Sequence, residues 1–320
     1  MTSLADVSDA YQMLPLKEAI RPTTLIRSSK LNDHLGLDLT IASETFQHTG
    51  SFKFRAGYNV ALNVEQDEIL TASSGNFGQA LAYACKLLGK KCTVVMPATS
   101  AQVKIDAVRG FGATVDLIDT ARIARDARIS ELEEQMPDAY VASAYDDKFV
   151  IEGNSSLGDE LAELGFDIVM TGIGGGGLIS GLITAFRRNN SSTVVLGAEP
   201  LLGNDAARSL REGQLVRNES EPKTIADGAR TISLGNLNWE IIKNGLEEIV
   251  EVSDDRIAEA VRMYFDLVNL KCEPTGALSL GAVLTAPEKF RDKRVCLVVS
   301  GGNVDASVYS RIIQDRAAAA

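Results

Sequence analysis

A two-domain α/β architecture built on parallel sheets is the fold this sequence predicts, and three observations carry it. Short apolar runs alternate with amphipathic segments along all 320 residues. The connections between apolar runs are long enough to hold a helix, as a parallel crossover requires. The chain also exceeds one ordinary domain, at about 150 residues each.

The apolar runs are Leu39–Ser43, Glu68–Ala72, Cys92–Met96, Thr114–Leu117, Asp167–Thr171, Thr193–Ala198, Glu248–Val252 and Arg294–Val299. Between them lie amphipathic segments Phe77–Leu88, Ser100–Phe111, Ala121–Gln135, Leu178–Arg188, Asp254–Leu270 and Gly276–Leu284. Residues 66–145 form a strand–helix series of their own, punctuated by Met96-Pro97 and Phe111-Gly112. They are expected to be a small domain inserted into a large one made from residues 1–65 and 146–320. The Ala317–Ala320 end is expected to fray.

Composition narrows the function classes. Hydrophobic residues make up 45% and charged residues 23%, as in ordinary soluble chains. With 43 acidic and 32 basic side chains the net charge is −11, and no basic patch interrupts it, which argues against a nucleic-acid partner. Only His34 and His48 are available, so a multi-histidine metal centre is excluded. Cys85, Cys92, Cys272 and Cys296 have no Cys-x-x-Cys spacing and read as free thiols of a reducing compartment. No leader segment is evident, and no apolar run nears the ~18 residues that span a bilayer. A cytoplasmic enzyme without a membrane partner is expected.

Ligands of open parallel sheets bind beyond the carboxyl ends of strands, so the loops there hold the chemistry. Gly172-Ile173-Gly174-Gly175-Gly176-Gly177 follows one strand and opens a helix. Bare backbone N–H groups at a helix start bind phosphate. The stretch also fits Gly-x-Gly-x-x-Gly, with Glu199 where a ribose-binding acid would stand, so a nicotinamide-dependent oxidoreductase is an alternative. Ser73-Ser74-Gly75-Asn76 opens another helix and suits a carboxylate, or serves as an ordinary cap. In Ser51-Phe52-Lys53-Phe54-Arg55 the lysine lies between aromatic residues, where desolvation would free its amine as a nucleophile. Ser300-Gly301-Gly302-Asn303 follows the most apolar strand, as a plain turn or a seat for a ligand ring.

In order and combination these loops resemble the fold-type II pyridoxal-phosphate enzymes, in the group of serine/threonine dehydratases and serine racemases. The resemblance also covers Thr49-Gly50, Glu199-Pro200, Thr224–Gly228, Leu237-Asn238-Trp239, Glu273–Ala277 and Val304-Asp305, nearly the whole chain. It implies a tryptophan synthase β-like fold and dehydration of serine or threonine to a 2-oxo acid and ammonia. Ammonia-lyase action on 3-hydroxyaspartate and amino-acid racemisation are the alternatives on the same scaffold.

By the same resemblance, Lys53 binds pyridoxal phosphate covalently and Phe52 packs on its ring. Asn76 reaches the ring oxygen and Ser300 the ring nitrogen. The N–H groups of Gly174, Gly175, Gly176, Gly177 and Leu178 hold the phosphate. Ser73, Ser74, Gly75 and Asn76 receive the substrate, with Ser74 opposite the lysine as the proton-exchanging residue of racemases. Glu199, Asp205 and the Gly203 carbonyl are implied to hold a structural divalent cation (Mg²⁺, Ca²⁺ or Mn²⁺), against the reading of an acid pair capping a helix. A homodimer is implied as well.

Several positions depart from the family pattern. Phe77 replaces a histidine, Arg55-Ala56-Gly57 reverses Arg-Gly-Ala, and Ala142–Tyr145 and Gly153–Ser156 differ where the family lines its substrate pocket. Arg122, Arg125 and Arg128 are spaced for one helix face, and Arg125 is the candidate for binding a second substrate carboxylate.

Overall fold

A computed structural model describes residues 14–315; the Ala317–Ala320 end lies outside the described residues. Strands β1 (Thr24–Ile26), β2 (Asp38–Ser43), β3 (Glu68–Ala72), β4 (Lys91–Pro97), β5 (Thr114–Ile118), β6 (Tyr140–Val141), β7 (Ile168–Gly172), β8 (Val194–Pro200), β9 (Ile249–Val252) and β10 (Arg294–Val299) divide between two sheets. One has six strands in the order β1-β2-β10-β7-β8-β9, parallel throughout except where β1 meets β2. The other has four parallel strands, β5-β4-β3-β6, all from the segment between Glu68 and Val141. The helices are α1 (Leu16–Ala19), α2 (Ser29–Leu35), α3 (Lys53–Asn63), α4 (Asn76–Leu88), α5 (Gln102–Gly110), α6 (Arg125–Gln135), α7 (Lys148–Ala162), α8 (Gly177–Arg188), α9 (Asp205–Glu212), α10 (Asn236–Ile242), α11 (Asp254–Met263), α12 (Leu278–Thr285) and α13 (Ala306–Gln314).

Both faces of the larger sheet are covered, so its strands need apolar side chains at every position rather than every second one. Along β10, Val295, Leu297 and Val299 join the core with Ile257, Val261 and Leu280 from α11 and α12. Cys296 and Val298 join a separate core with Leu157, Ile179 and Leu182 from α7 and α8. The two-residue period thus feeds two cores at once.

Helix α3 is wedged between α4 and α7, and glycine lets it approach both. A methyl at Gly57 would sit 2.9 Å from the Leu81 nitrogen, and one at Gly153 would sit 2.5 Å from the Arg55 carbonyl. The displaced glycine of Arg55-Ala56-Gly57 is therefore fixed by the α3–α4 contact. Arg55 itself is buried, bonded to Glu44 at 2.7 and 2.9 Å and to Glu160 at 2.6 Å. That network ties α3 to the end of β2 and to α7.

The structure corrects four sequence expectations. Strands β1 and β6, of three and two residues, are too short to show a period and were not anticipated. Helix α6 begins at Arg125 rather than Ala121, because the Asp119 carboxylate takes the Ala121 N–H at 3.0 Å and turns the chain. Arg122 precedes the helix, so the three arginines share no helical face. The segment Asp254–Leu270 splits into α11 and a π turn, Tyr264–Val268, which ends on left-handed Asn269 (φ 56°). Pro274 opens a short 3₁₀ turn, so α12 starts at Leu278 and not at Gly276.

Candidate active site

Four loops at the carboxyl ends of β2, β3, β7 and β10 converge where the two sheets meet. Residues 44–52 after β2 lead into α3, and 300–303 after β10 lie alongside them. Phe52 donates its N–H to the Ser300 carbonyl at 2.9 Å, Gly302 donates to the Gly50 carbonyl at 3.0 Å, and Ser51 pairs with Gly301 in an isolated bridge. Asn303 donates to the Thr49 carbonyl at 2.7 Å. Thr49 is held at φ 60°, a conformation that costs a threonine energy and needs such surroundings to persist.

Lys53, the first residue of α3, emerges from this lacing. Its Nζ donates to the Ala144 carbonyl at 2.6 Å and lies 5.0 Å from the Phe52 ring centre and 5.6 Å from that of Phe77. Burial lowers its pKa to about 8, with Glu273 opposing the shift. Phe77, where the family pattern has histidine, is buried and supplies part of that apolar wall.

Across the lysine, the loop after β3 opens α4. The Ser73 hydroxyl accepts from the Gly78 and Gly75 N–H groups at 3.1 and 3.4 Å, and Ser74 is half-buried beside it. Asn76 donates to both oxygens of Glu273 at 2.9 and 3.2 Å and accepts from Asn303 at 2.8 Å. Glu273 is buried, and burial together with Asp227 raises its pKa to about 8. Asn76 thus joins the four-stranded unit to the six-stranded one. Sequence reasoning quoted Glu273 only within a resembling stretch and gave it no role.

The tetraglycine turn after β7 is enclosed by neighbours. A methyl at Gly174 would lie 2.8 Å from the Gly228 carbonyl, one at Gly175 would strike the Tyr145 ring, and one at Gly176 would meet Asn238 at 2.9 Å. Gly176 also stands at φ 94°, which favours glycine outright. Asn238 donates to the Gly175 and Tyr145 carbonyls at 2.9 and 3.0 Å, turning those oxygens toward itself. No side chain caps α8, so its first N–H groups, including that of buried Leu178, are left for an anion. Ser300, 4% exposed, stands at the end of β10.

Three further expected residues have protein partners of their own. Glu199 accepts from the N–H groups of Ala206 and Ala207 at 2.9 and 2.8 Å, so it caps α9. Asp205 accepts from Asn218 at 2.8 Å, while its other oxygen is buried without a partner. Burial and the neighbouring Asp205 push Glu199 well above the usual carboxylate range, and burial takes Asp205 to about 7. Arg125 pairs with Glu221 at 3.3 Å, both side chains exposed, and has none of the Lys53 neighbours among its partners.

A buried amine of depressed basicity beside an uncapped glycine-built helix start is the arrangement expected for an aldehyde cofactor bearing a phosphate. The family model described as "Pyridoxal-phosphate dependent enzyme" matches residues 16–301. The chain belongs to the pyridoxal-phosphate-dependent enzymes. Among proteins of this family, a serine racemase of Schizosaccharomyces pombe is 34% identical over 314 residues, covering 96% of each chain. An L-threo-3-hydroxyaspartate ammonia-lyase of Pseudomonas sp is 35% identical, covering 91% of this chain and 93% of its own. The solved structure of a T.th. threonine deaminase superposes with a TM-score of 0.85 at 35% identity, covering 93% of this chain and 98% of the other. The pyridoxal-phosphate fold type II architecture is thus shared, and the nicotinamide alternative falls away.

Proposed function

We propose that this chain eliminates water from a small β-hydroxy amino acid, serine or threonine, giving a 2-oxo acid and ammonia, with racemisation at the α-carbon as a second outcome. The observation that carries the reading is the Lys53 amine, desolvated to a pKa of about 8 and set between two aromatic rings in a pyridoxal-phosphate family chain. The residues present fit the cofactor: Lys53 to bind it, Phe52 against its ring, Asn76 and Ser300 toward the ring oxygen and nitrogen, and Gly174–Leu178 for the phosphate. Pyridoxal phosphate, when bound, supplies the electron sink that lets an α-proton depart.

The chain's own groups do the rest. The start of α4, with Ser73–Asn76, holds the substrate carboxylate. Lys53 takes the α-proton on one face, its amine neutral above about pH 8. Ser74 exchanges the proton on the opposite face. The small domain, residues 66–145, closes on the large one over bound substrate and excludes water. Two buried carboxylates of raised pKa, one with an unpartnered oxygen, suit a divalent cation held by Glu199, Asp205 and the Gly203 carbonyl. The reading includes a homodimer. Arg125, the cation suggested for a second carboxylate, pairs with Glu221 across an exposed 3.3 Å gap that a substrate carboxylate could take over, so 3-hydroxyaspartate is the alternative substrate. No helix among the described residues is long and apolar enough to cross a membrane.

The test is direct. Purified protein supplied with the cofactor should absorb in the visible, bleach with borohydride, and release ammonia from serine or threonine; Lys53→Ala should do none of these. A protein inert toward serine, threonine and 3-hydroxyaspartate would overturn the elimination. Ser74→Ala should keep elimination and lose racemisation, and racemisation at the wild-type rate would remove Ser74 from the mechanism.

A further inference from the structure

Glu273, buried where the two sheets meet, has no task in the proposed steps. Backbone and side chain both lock it to the loop after β10: its N–H donates to the Gly301 carbonyl at 3.1 Å, and a methyl at Gly301 would sit 2.6 Å from its Oε1. Asp227, Lys104 and Lys53 act on it through space, and Lys104 is already paired with Asp227 at 3.4 Å. Its hydrogen bonds come instead from the Asn76 amide across the cleft, at 2.9 and 3.2 Å. Burying a carboxylate on amide bonds costs free energy, and a neutral side chain would tie two loops together at less cost.

The carboxylate does what a neutral group cannot: it tells the two ends of an amide apart. The oxygen and nitrogen of an asparagine have nearly the same shape, so hydrogen-bond partners decide which way they point. A run of one-way bonds decides it here. The Thr49 carbonyl only accepts, and Asn303 Nδ2 donates to it at 2.7 Å. The same nitrogen donates to Asn76 Oδ1 at 2.8 Å, which turns Asn76 Nδ2 toward Glu273. An ionised carboxylate only accepts, so both ends of Asn76 are fixed. One N–H shared between the two carboxylate oxygens satisfies both contacts, and the second is left for another acceptor.

We propose that ionised Glu273 is a positioning residue, holding Asn76 so that its free N–H, and not its oxygen, faces the ring oxygen of the cofactor. The role rests on the reading that Asn76 meets that oxygen. A phenolic oxygen bearing negative charge is attracted by the N–H and repelled by an amide oxygen, so a turned Asn76 weakens cofactor binding.

At pH 9, above the value of about 8 to which burial and Asp227 raise it, Glu273 is ionised. Titrated there with pyridoxal phosphate, Glu273→Gln should bind about fivefold more weakly and Asn76→Ala about tenfold. The double variant should stay within about twofold of Asn76→Ala, because Glu273 acts through Asn76. The absorbance maximum of the bound cofactor should move in the same direction in all three. The denaturation midpoint of cofactor-free Glu273→Gln should equal or exceed that of the wild type, because an amide loses less on burial than a carboxylate. A lowered midpoint would make Glu273 a structural tie, and wild-type affinity in Glu273→Gln would leave it nothing to position; either overturns the role. A wild type that takes up no cofactor would overturn the role and the reading together. Losses that multiply in the double variant, in a protein whose wild type binds cofactor and releases ammonia, would overturn the role alone.

Discussion

The loops that open α4 and α8 occupy equivalent places, each between a parallel strand and a helix, yet they are built on opposite principles. Around α4 the turn itself is ordered from within, the Ser73 hydroxyl gathering two N–H groups of its own loop and a methyl at Gly75 meeting nothing within 4 Å, while Asn76 alone reaches out, to Glu273 and Asn303. Around α8 the order comes from without, where Gly228, Tyr145 and Asn238 press on successive glycines. A loop braced by its own side chain can open and close on a small ligand. One moulded by its neighbours is a fixed seat. The contrast matches the proposed division of labour, in which substrate is received at α4 and cofactor phosphate at α8.

Substitutions at the glycines probe the contrast hardest. Gly174→Ala should weaken cofactor binding by about 10–100-fold, since overpacking against the Gly228 backbone costs about 1–3 kcal/mol and no flexible side chain can yield. A titration of cofactor affinity measures it, and wild-type affinity would show that the seat is not rigid.

Neither loop titrates, so a pH dependence of cofactor uptake belongs to the lysine between them. Lys53 has its pKa lowered to about 8, so its reactive neutral form is scarce below that pH and dominant above it. Uptake by cofactor-free protein should rise about fivefold from pH 7 to pH 8 and about twofold more beyond. Stopped-flow absorbance would record it, and a flat profile would place the amine outside a desolvated site.

Ser73→Ala should cost about 1 kcal/mol of stability through loss of the capping acceptor, read from the denaturation midpoint, while cofactor affinity stays within about twofold. A matching loss of affinity would mean that the two loops are not independent. Gly75→Ala should be the mildest, changing stability by less than about 0.5 kcal/mol because the space is open. A larger loss would show that the α4 loop is as closely packed as the other.

The legibility of the site follows the same division. The glycine turn, the serine loop and Lys53 were readable because each is a short run of unusual composition beside a strand. The roles of Glu273, Tyr145 and Asn238 were not, although each lies in a stretch compared with the family, since a single glutamate, tyrosine or asparagine has no local signature. Their partners lie far along the chain, as with Asn76 and Glu273, 197 residues apart. Arg125 shows the same limit: its spacing suggests a face shared with Arg122, but the Asp119 turn moves the helix start past Arg122, and the Arg125 contact with Glu221 joins residues 96 apart in the chain.

What the sequence determined by itself was periodic or compositional. Alternating apolar strands and helix-length connections impose parallel sheets buried on both faces, and glycine or serine after a strand marks a ligand loop, because both effects act over a few neighbouring residues. The tertiary structure alone decided which loops meet, that burial sets both Lys53 and Glu273 near a pKa of 8, and that Glu199 turns to cap α9. Desolvation and hydrogen bonding depend on atoms brought together from distant parts of the chain, and that proximity exists only once the two sheets have packed.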